Sequence, residues 1–237
     1  MNLTAWDRRV AALTQLHVTD PANPVLSKDD RHHLVKVLRA NEGEEIVVTD
    51  GSGRWALCAF RNGELVHVLE PDIDPRPALT ELYVAPLKGD KSELVIAKAV
   101  ELGVSRVVPL VSERIAVKFK GDARDKTLER WRRIAREAAG QCRRTYDLEI
   151  ADPVEVADVP AHVAVCDFGG STDWNGVTAV AIGPEGGFAP DEWPAGRTTL
   201  SLGPQVLRAE TAAITAAGFI GIGSGNWQLS VRGPAVG

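Results

Sequence analysis

Residues 179–188 read Ala-Val-Ala-Ile-Gly-Pro-Glu-Gly-Gly-Phe, and residues 200–212 read Leu-Ser-Leu-Gly-Pro-Gln-Val-Leu-Arg-Ala-Glu-Thr-Ala. Each stretch starts as an apolar strand and ends in a glycine-containing loop, and the second continues into a helix. Glycines leave backbone N–H groups unshielded and allow a ligand to approach closely. Ligands of open α/β sheets bind beyond the carboxyl ends of the strands, so both loops are candidate binding loops. Tight turns alone would explain one such loop, but two in one sheet favour a binding site.

Around these loops, apolar runs alternate with amphipathic stretches, which indicates a parallel α/β sheet. The predicted strands cover 82–85, 106–110, 163–166, 179–182 and 199–202, and the predicted helices cover 92–102, 125–143 and 210–220. The helix at 92 has start and stop signals, because Asp90 and Glu93 have capping-box spacing and Gly103 follows its end.

A proline-rich connector separates this region from the start of the chain. Pro71-Asp-Ile-Asp-Pro75-Arg-Pro77 has three prolines in seven residues, which should stop regular structure there. Before it, short β-favouring segments at 45–50, 55–60 and 65–69 predict a small β-barrel. One helix, at 29–38, interrupts this barrel, with Ser27 as N-cap and Asp30 in capping-box position. We therefore expect two domains, 1–72 and 78–230.

The composition is that of a globular protein. The chain has 237 residues, of which 44% are hydrophobic and 25% charged, which argues against a disordered, collagenous or membrane-spanning protein. Three widely spaced cysteines predict neither a disulfide framework nor a zinc site, and the adjacent His32 and His33 point to different helix faces, so no metal is expected. The N-terminus lacks the apolar core of a signal peptide, and we expect a cytoplasmic protein without membrane contact.

The net charge of −5 conceals a basic segment. Residues 88–144 carry 15 basic and 8 acidic residues, whereas residues 145–237 carry 3 and 11. Within this segment Lys91 and Lys98 share a helix face, and a second helix is predicted to carry a basic face opposite an apolar stripe. The residues of that basic face are Arg130, Arg132, Arg133, Arg136, Arg143 and Arg144, and those of the stripe are Trp131, Ile134, Ala135, Ala138 and Cys142.

Such a surface suits RNA, because arginine and lysine neutralise phosphates. An ordinary solvated helix face would carry the same charges. A second basic group at 31–39 favours an RNA surface divided between the two domains.

Several common enzyme signatures are missing from the sequence. There is no G-x-G-x-x-G after the first strand of the α/β region, no G-x-x-x-x-G-K-[ST] and no G-x-S-x-G. A Rossmann dinucleotide site, a P-loop nucleotidase and the usual nucleophile-elbow hydrolase are therefore unlikely candidates on sequence grounds.

Four motifs together resemble a known family. They are Ile182-Gly-Pro-Glu-Gly-Gly187-Phe, Leu202-Gly-Pro-Gln-Val-Leu-Arg-Ala-Glu-Thr-Ala212, Lys98-Ala-Val-Glu-Leu-Gly-Val104 and His33-Leu-Val-Lys-Val-Leu-Arg39. They are similar to the signatures of the bacterial 16S ribosomal RNA (uracil-N3)-methyltransferases, the RsmE family of the SPOUT superfamily. The resemblance implies an α/β fold: a SPOUT-type trefoil-knotted parallel sheet with a small N-terminal PUA-like β-barrel domain that binds RNA. It also implies S-adenosyl-L-methionine as cofactor, a homodimer, and 16S rRNA in an assembled or nearly assembled small subunit as partner.

The same resemblance implies site residues. The cofactor positions are Cys166, Phe168, Ile182, Gly183, Pro184, Glu185, Gly186, Gly187, Leu202, Gly203, Val206, Leu207, Arg208, Glu210, Thr211 and Ala212. The RNA-binding positions are His33, Arg39, Lys91, Lys98, Arg114, Arg136, Gln141 and Arg144.

Arg208, Glu210 and Glu185 are the candidate catalytic residues. Arg208 could favour the N3 anion of uracil or form a structural salt bridge to Glu210 or Glu185. The sequence does not choose between the two carboxylates as proton acceptor. A SPOUT enzyme for another RNA such as tRNA and a non-catalytic RNA-binding protein stay open as alternative functions.

Overall fold

The computed structural model describes residues 4–117 and 119–224, which form two compact units. Of the described residues, the first unit contains 4–76 together with Ala139–Asp147, and the second contains 77–117, 119–138 and 148–224. Within the described ranges, no helix is long and apolar enough to cross a membrane.

The first unit is built on a small mixed sheet. Its elements are α1 (Ala5–Ala11), β1 (Thr14–His17), α2 (Lys28–His32), a π-helical turn (His33–Val37), β2 (Glu45–Thr49), β3 (Arg54–Arg61), β4 (Glu64–His67) and β5 (Asp72–Ile73). The strand order is β1-β2-β3-β4, with β5 beside β3. β1 runs parallel to β2, and the other pairs are antiparallel. Ser27 and Asp30 form the predicted capping box at the start of α2.

Two sequence expectations for this unit were wrong. A helix besides the predicted one occurs at α1, where Thr4 and Asp7 form a capping box. The connector between the prolines contains β5, whose residues Asp72 and Ile73 pair with Trp55 and Arg54. Proline removes only its own N–H from a sheet, so the two residues after Pro71 could still join an edge of the sheet.

A buried arginine holds Ala139–Asp147 within the first unit. The Arg9 guanidinium donates to both carboxylate oxygens of Asp74, at 3.0 and 2.8 Å, and to the carbonyl of Arg143. It also lies over the Trp55 ring, 4.8 Å from the centroid. The Thr145 hydroxyl donates to the same Asp74 carboxylate at 2.6 Å. The Gln15 amide adds a hydrogen bond to the carbonyl of Arg144 at 2.7 Å, and Arg143 Nη2 donates to the carbonyl of Ala12 at 2.6 Å. Arg9 is therefore the central one of several contacts that attach Ala139–Asp147 to the rest of the first unit.

The second unit is an all-parallel sheet covered by helices. Its elements are β6 (Glu81–Val84), α3 (Lys91–Glu101), β7 (Arg106–Val111), α4 (Gly121–Cys142), β8 (Glu149–Ile150), β9 (Val154–Glu155), a 3₁₀ turn (Val156–Asp158), β10 (Ala164–Ser171), β11 (Ala179–Ile182), β12 (Thr199–Leu200) and α5 (Ala209–Gly223). The strand order is β12-β10-β11-β6-β7-β8, with β9 beside β7. This confirms the predicted α/β class.

The core lies at the centre of this sheet. Every residue of β6 and β11 is buried, as expected for parallel strands covered on both faces. On one face the strand side chains pack with Val156, Val159 and Val163. α5 contacts β6, β11 and α3, and apart from Ile220 the residues that it buries are small: Ala209, Ala213, Ala216, Ala217 and Gly221. Small residues let α5 approach the sheet closely, which places its first turn near the loops that follow β6 and β11.

Local details of the two helices differ from the sequence predictions. α4 ends at Cys142, and Arg143 has φ +60°, so Arg143 and Arg144 lie beyond the helix that was predicted to carry them. Within the described chain, the Asp90 side chain makes no capping hydrogen bond at the start of α3. The Ser92 hydroxyl instead accepts a hydrogen bond from the N–H of Leu87 at 2.8 Å.

Gly170 permits an unusually close contact between β10 and β12. β10 pairs with β12 at Cys166, bulges outward, and returns to Leu200 at Ser171. A Cβ atom on Gly170 would lie 2.6 Å from the backbone N and C of Leu200. No side chain fits there without moving one of the two strands.

We predict that Gly170→Ala destabilises the fold by about 1–3 kcal/mol, because the added methyl group forces backbone apart from backbone. Gly218→Ala is the matched control: Gly218 lies in α5, a methyl group added there would meet nothing within 4 Å, and alanine should stabilise the helix by about 0.5–1 kcal/mol. Urea unfolding monitored by tryptophan fluorescence measures both. Equal stabilities of the two variants would contradict the prediction.

Candidate functional site

Four loops leave the same edge of the parallel sheet. They follow β6, β10, β11 and β12, which are neighbours in the order β12-β10-β11-β6. Because all these strands run in parallel, their carboxyl ends lie together. The two glycine loops of the sequence, 183–187 and 201–208, are therefore brought beside the loop 85–90 and beside residues 167–170, which bulge out within β10.

A lysine and two glutamates meet between these loops. The Lys91 ammonium lies 3.7 Å from Glu185 Oε1 and 3.5 Å from Glu210 Oε2. Glu185 Oε1 also accepts the backbone N–H of Lys88 at 3.1 Å. The three charged side chains come from the start of α3, the loop after β11 and the first turn of α5, so the cluster joins three separate elements.

Glu185 is held as a carboxylate. Partial burial works to raise its pKa, but hydrogen bonds from the N–H groups of Glu185 and Lys88 and the charges of Lys91 and Lys88 lower that pKa below its ordinary value. The carboxylate accepts hydrogen bonds from these two N–H groups, so Glu185 is bonded both to its own loop and to the loop after β6.

Glu210 is less fully satisfied. Its side chain is 13% exposed, and its Oε2 is buried without a hydrogen-bond partner among the described residues. A carboxylate in the first turn of a helix is favoured by the helix dipole. A buried oxygen that lacks a hydrogen bond destabilises the fold, and a ligand that donates a hydrogen bond to this carboxylate would offset that cost.

Among the described residues, Arg208 does not form the salt bridge to Glu185 or Glu210 that was considered as its alternative role. It occupies the N-cap position of α5 and is exposed. Within the part of the chain that the structure describes, the ion pairs of Glu185 and Glu210 are formed with Lys91, and none is formed with Arg208. The structural interpretation of Arg208 was therefore wrong, and its guanidinium is available to a ligand.

Apolar side chains project from the same loops. Phe168 is 65% exposed and Val206 is 83% exposed, whereas Leu207 and Leu202 are partly buried. Gly203 has φ +118°, which favours glycine and turns the chain between β12 and α5. Exposed apolar groups beside a carboxylate and an arginine are typical of a site for an organic ligand with polar ends.

Cys166 contributes packing rather than reactivity. Burial, with a smaller effect of the Asp167 charge, raises the pKa of its thiol to about 12. The thiol is therefore protonated at neutral pH, and a nucleophilic role is excluded for it.

The remaining predicted cofactor positions lie in these loops or directly beside them. Ile182, the last residue of β11, and Pro184, in the loop after it, are buried, whereas Gly186 and Gly187 in the same loop are exposed. Thr211 and Ala212 lie in the first turn of α5 beside Glu210.

Arg114 stabilises the glycine loop, a role that the sequence analysis missed. Its Nη1 donates to the carbonyls of Gly186 and Phe188 at 3.2 and 3.1 Å. Glu192 accepts the N–H groups of Glu113 and Ala189, each at 2.8 Å. The loop after β11 is therefore fixed from two sides, and Arg114 faces this loop rather than an open basic surface.

The other predicted RNA-binding residues are distributed over both units. In the first unit His33 and Arg39 are exposed, and Arg39 has φ +54° where the π-helical turn ends. Gln141 is exposed, whereas Arg144 donates from Nε to the carbonyl of Tyr146 at 2.5 Å, and burial lowers the pKa of its guanidinium. In the second unit, Arg136 is exposed and Lys98 pairs with Glu101 at 2.8 Å.

Comparison with known proteins identifies relatives over most of the chain. A family model described as an RNA methyltransferase domain matches residues 74–221, and one described as an RNA methyltransferase PUA domain matches residues 26–67. The chain is 34% identical to the ribosomal RNA small subunit methyltransferase E of Mycobacterium bovis, over 87% of this chain and 88% of the relative. It is 27% identical to the protein of the same name from Bacillus subtilis, over 86% and 91%.

Solved structures agree with these relatives. A Legionella pneumophila protein solved with the cofactor SAM bound is 28% identical and superposes with a TM-score of 0.76, over 87% of this chain and 96% of that one. The ribosomal RNA small subunit methyltransferase E of Neisseria gonorrhoeae, at 24% identity and a TM-score of 0.71 over 86% and 94%, shares the fold.

We predict that Glu185→Gln lowers the free energy of unfolding at pH 7 by about 1 kcal/mol, because the variant loses charge-assisted hydrogen bonds. The pKa of Glu185 is lowered in the folded state, so its stabilising effect is present above the ordinary value of 4.5 and is lost as the pH falls through the lower folded value. Urea unfolding at pH 7 and near pH 3.5 measures this.

The matched control is Glu155→Gln on β9, an exposed glutamate in the same unit. It should change stability by less than about 0.5 kcal/mol. A difference between wild type and Glu185→Gln that stays constant from pH 7 to 3.5 would contradict the assignment.

Proposed function

We propose that this chain, which belongs to the ribosomal RNA small subunit methyltransferase E family, transfers a methyl group from S-adenosyl-L-methionine to N3 of a uridine in 16S rRNA. The observation that carries the proposal is that Glu185, from the loop after β11, and Glu210, from the first turn of α5, meet at the Lys91 ammonium, within the residues that the RNA methyltransferase model matches. The family relatives and the SAM-bound structural neighbour support the cofactor and the reaction.

The residues of the four loops fit this cofactor. Phe168, Val206 and Leu207 offer apolar surface to an adenosine, and the Glu210 carboxylate offers an acceptor to a hydroxyl or ammonium group. The full proposed set is Cys166, Phe168, Ile182, Gly183, Pro184, Glu185, Gly186, Gly187, Leu202, Gly203, Val206, Leu207, Arg208, Glu210, Thr211 and Ala212. When bound there, the cofactor supplies an electrophilic methyl group on a sulfonium.

Positioning and electrostatics are the contributions of the protein to this transfer. Uracil N3 must lose its proton, and the base must be unpaired, because base pairing occupies N3. Arg208, an exposed cation at the start of α5, would stabilise negative charge on the uracil carbonyls as the proton leaves. Glu210 is the better proton acceptor of the two candidates, because Glu185 already accepts backbone N–H groups.

Each unit offers candidate RNA-binding groups. His33, Arg39 and Gln141 in the first unit and Lys98 and Arg136 in the second are the candidates, and the PUA match supports an RNA-binding role for the first unit. Domains at 1–72 and 78–230 and the trefoil knot belong to the same proposal.

We also propose a cytoplasmic homodimer that acts on the assembled or nearly assembled small subunit. Exposed apolar side chains on α3 and α5 support a contact between two copies: Leu94 is 45% exposed, Phe219 39% and Ile222 57%.

The substrate is tested by mapping methylated nucleotides in RNA from a strain that lacks the protein. We expect one 3-methyluridine to disappear from 16S rRNA and to return when the gene is restored. Loss of a methyl group from tRNA instead would establish the alternative SPOUT function. No change in any RNA would favour a non-catalytic RNA-binding protein.

Arg208→Ala should lower the turnover number about 100-fold, a much larger factor than any loss of cofactor affinity, because the guanidinium acts mainly on charge that develops during the reaction. Methyl transfer to small subunits and calorimetric titration with the cofactor measure the two quantities. Arg76→Ala, an exposed arginine of the connector, is the control and should keep full turnover. Unchanged turnover in Arg208→Ala would remove Arg208 from the mechanism.

A further inference from the structure

We propose that Lys91 is a positioning residue of the cofactor site: its ammonium holds the Glu185 and Glu210 carboxylates, and with them the three elements that carry these groups. The proposal rests on the function proposed above. It replaces the sequence expectation that Lys91 binds RNA.

The geometry gives Lys91 two anionic partners and little freedom. The ammonium lies 3.7 Å from Glu185 Oε1 and 3.5 Å from Glu210 Oε2, and its side chain is 33% exposed. The two carboxylate oxygens are therefore at most about 7 Å apart. A phosphate would have to compete with both carboxylates for the same cation, which makes Lys91 a poor RNA contact.

The position of Lys91 at the start of α3 is electrostatically unfavourable for a cation. Lys91 is the first residue of α3, where the helix dipole favours negative charge, and in the described chain Asp90 does not cap this helix through its side chain. A cation at a helix N-terminus is destabilising by itself. The two glutamates compensate for this, so the lysine is explained by its long-range partners rather than by α3.

Removing the ammonium would affect the two carboxylates unequally. Glu185 would keep the N–H of Lys88 as a donor. The buried Oε2 of Glu210 would lose the cation that faces it and has no hydrogen bond among the described residues to replace it. An unpaired buried carboxylate is strongly unfavourable, so the first turn of α5 would move to expose Glu210 to water. Residues 208–212 and the loop before them would move with it.

This arrangement gives the cluster a distinct role in ligand binding. Glu185 fixes the loop after β11 to the loop after β6, and Lys91 extends that connection to α5. Glu210 is thereby held beside the loops, where a donor of the cofactor can complete its hydrogen bonding. Lys91 acts through Glu210 and does not need to touch the ligand.

Calorimetric titration of the full-length chain with S-adenosylmethionine and with S-adenosylhomocysteine tests this proposal. The second ligand lacks the sulfonium charge. If Lys91 positions the loops, Lys91→Met should weaken both ligands at least tenfold and to a similar extent. If the lysine only repelled the cationic cofactor, its removal would tighten S-adenosylmethionine alone, and the proposal would be overturned.

Matched variants separate positioning from general damage. Lys91→Arg keeps the charge and should bind both ligands within about threefold of wild type. Lys28→Met also removes a lysine from the first position of a helix, but Lys28 is exposed on α2, and ligand affinity should not change. Failure of Lys91→Arg to rescue binding would count against the proposal.

A double-mutant cycle keeps the test valid if Lys91→Met folds poorly. Lys91→Met combined with Glu210→Gln removes the unpaired buried charge, so the double variant should be more stable than additive single effects predict. Thermal unfolding without ligand measures this coupling. Additive effects would show that Lys91 does not act through Glu210.

RNA affinity distinguishes the proposal from the earlier expectation. In the absence of cofactor, Lys91→Met should bind small-subunit RNA as wild type does. Weaker RNA binding with unchanged affinity for both adenosyl ligands would return Lys91 to the RNA surface. A wild-type chain that binds neither ligand would instead overturn the proposed methyltransferase function.

Discussion

The parallel pairing of β12, β10, β11 and β6 is the constraint on which the candidate site depends. Parallel strands must all end at one edge, so four loops that are far apart in the chain are forced together there. The fully buried central strands hold this edge rigid, and the small residues of α5 bring the first turn of that helix to it. A ligand therefore meets preformed loops, which limits the entropy that binding has to overcome.

The charge that a segment carries does not show how much of that charge is exposed, because many charged side chains have partners within the protein. The basic segment of the sequence suggested part of an RNA surface divided between the two domains, but several of its cations have partners inside the protein. Lys91 faces two carboxylates, Arg114 holds backbone carbonyls of the glycine loop, and the partly buried Arg144 donates to the carbonyl of Tyr146. The exposed basic surface is therefore smaller than the composition implies. Two carboxylates of the acidic C-terminal region, Glu185 and Glu210, are partly neutralised by Lys91 at the candidate site.

Each unit uses a buried or half-buried cation to connect segments distant in sequence. In the first unit Arg9 connects Asp74 with the backbone at Arg143, and in the second Lys91 connects Glu185 with Glu210. Such pairs contribute little net stability relative to apolar packing, but losing one partner is costly because the other is left unpaired. Their main effect is to specify how the connected segments lie within each unit.

Local patterns were enough to predict much of the fold. The strand at 179–182, the capping box at Ser27 and the helix end at Gly103 follow from residue type and spacing over a few positions. The capping box of Thr4 and Asp7 carried the same kind of signal, and it could have revealed α1. The glycine loops could be predicted to be binding loops because their position after an apolar strand is itself a local property.

The sequence by itself determined the fold class and indicated the candidate loops, because short-range periodicity and the position of glycines after apolar strands are local properties; the family followed from the resemblance of its motifs. Only the tertiary structure decided which side chains meet. Lys91 and Glu210 are more than a hundred residues apart, and their contact depends on the order of the strands between them. Long charged side chains can reach partners on several elements, so the partner of a lysine or arginine is set by the packing of the whole sheet.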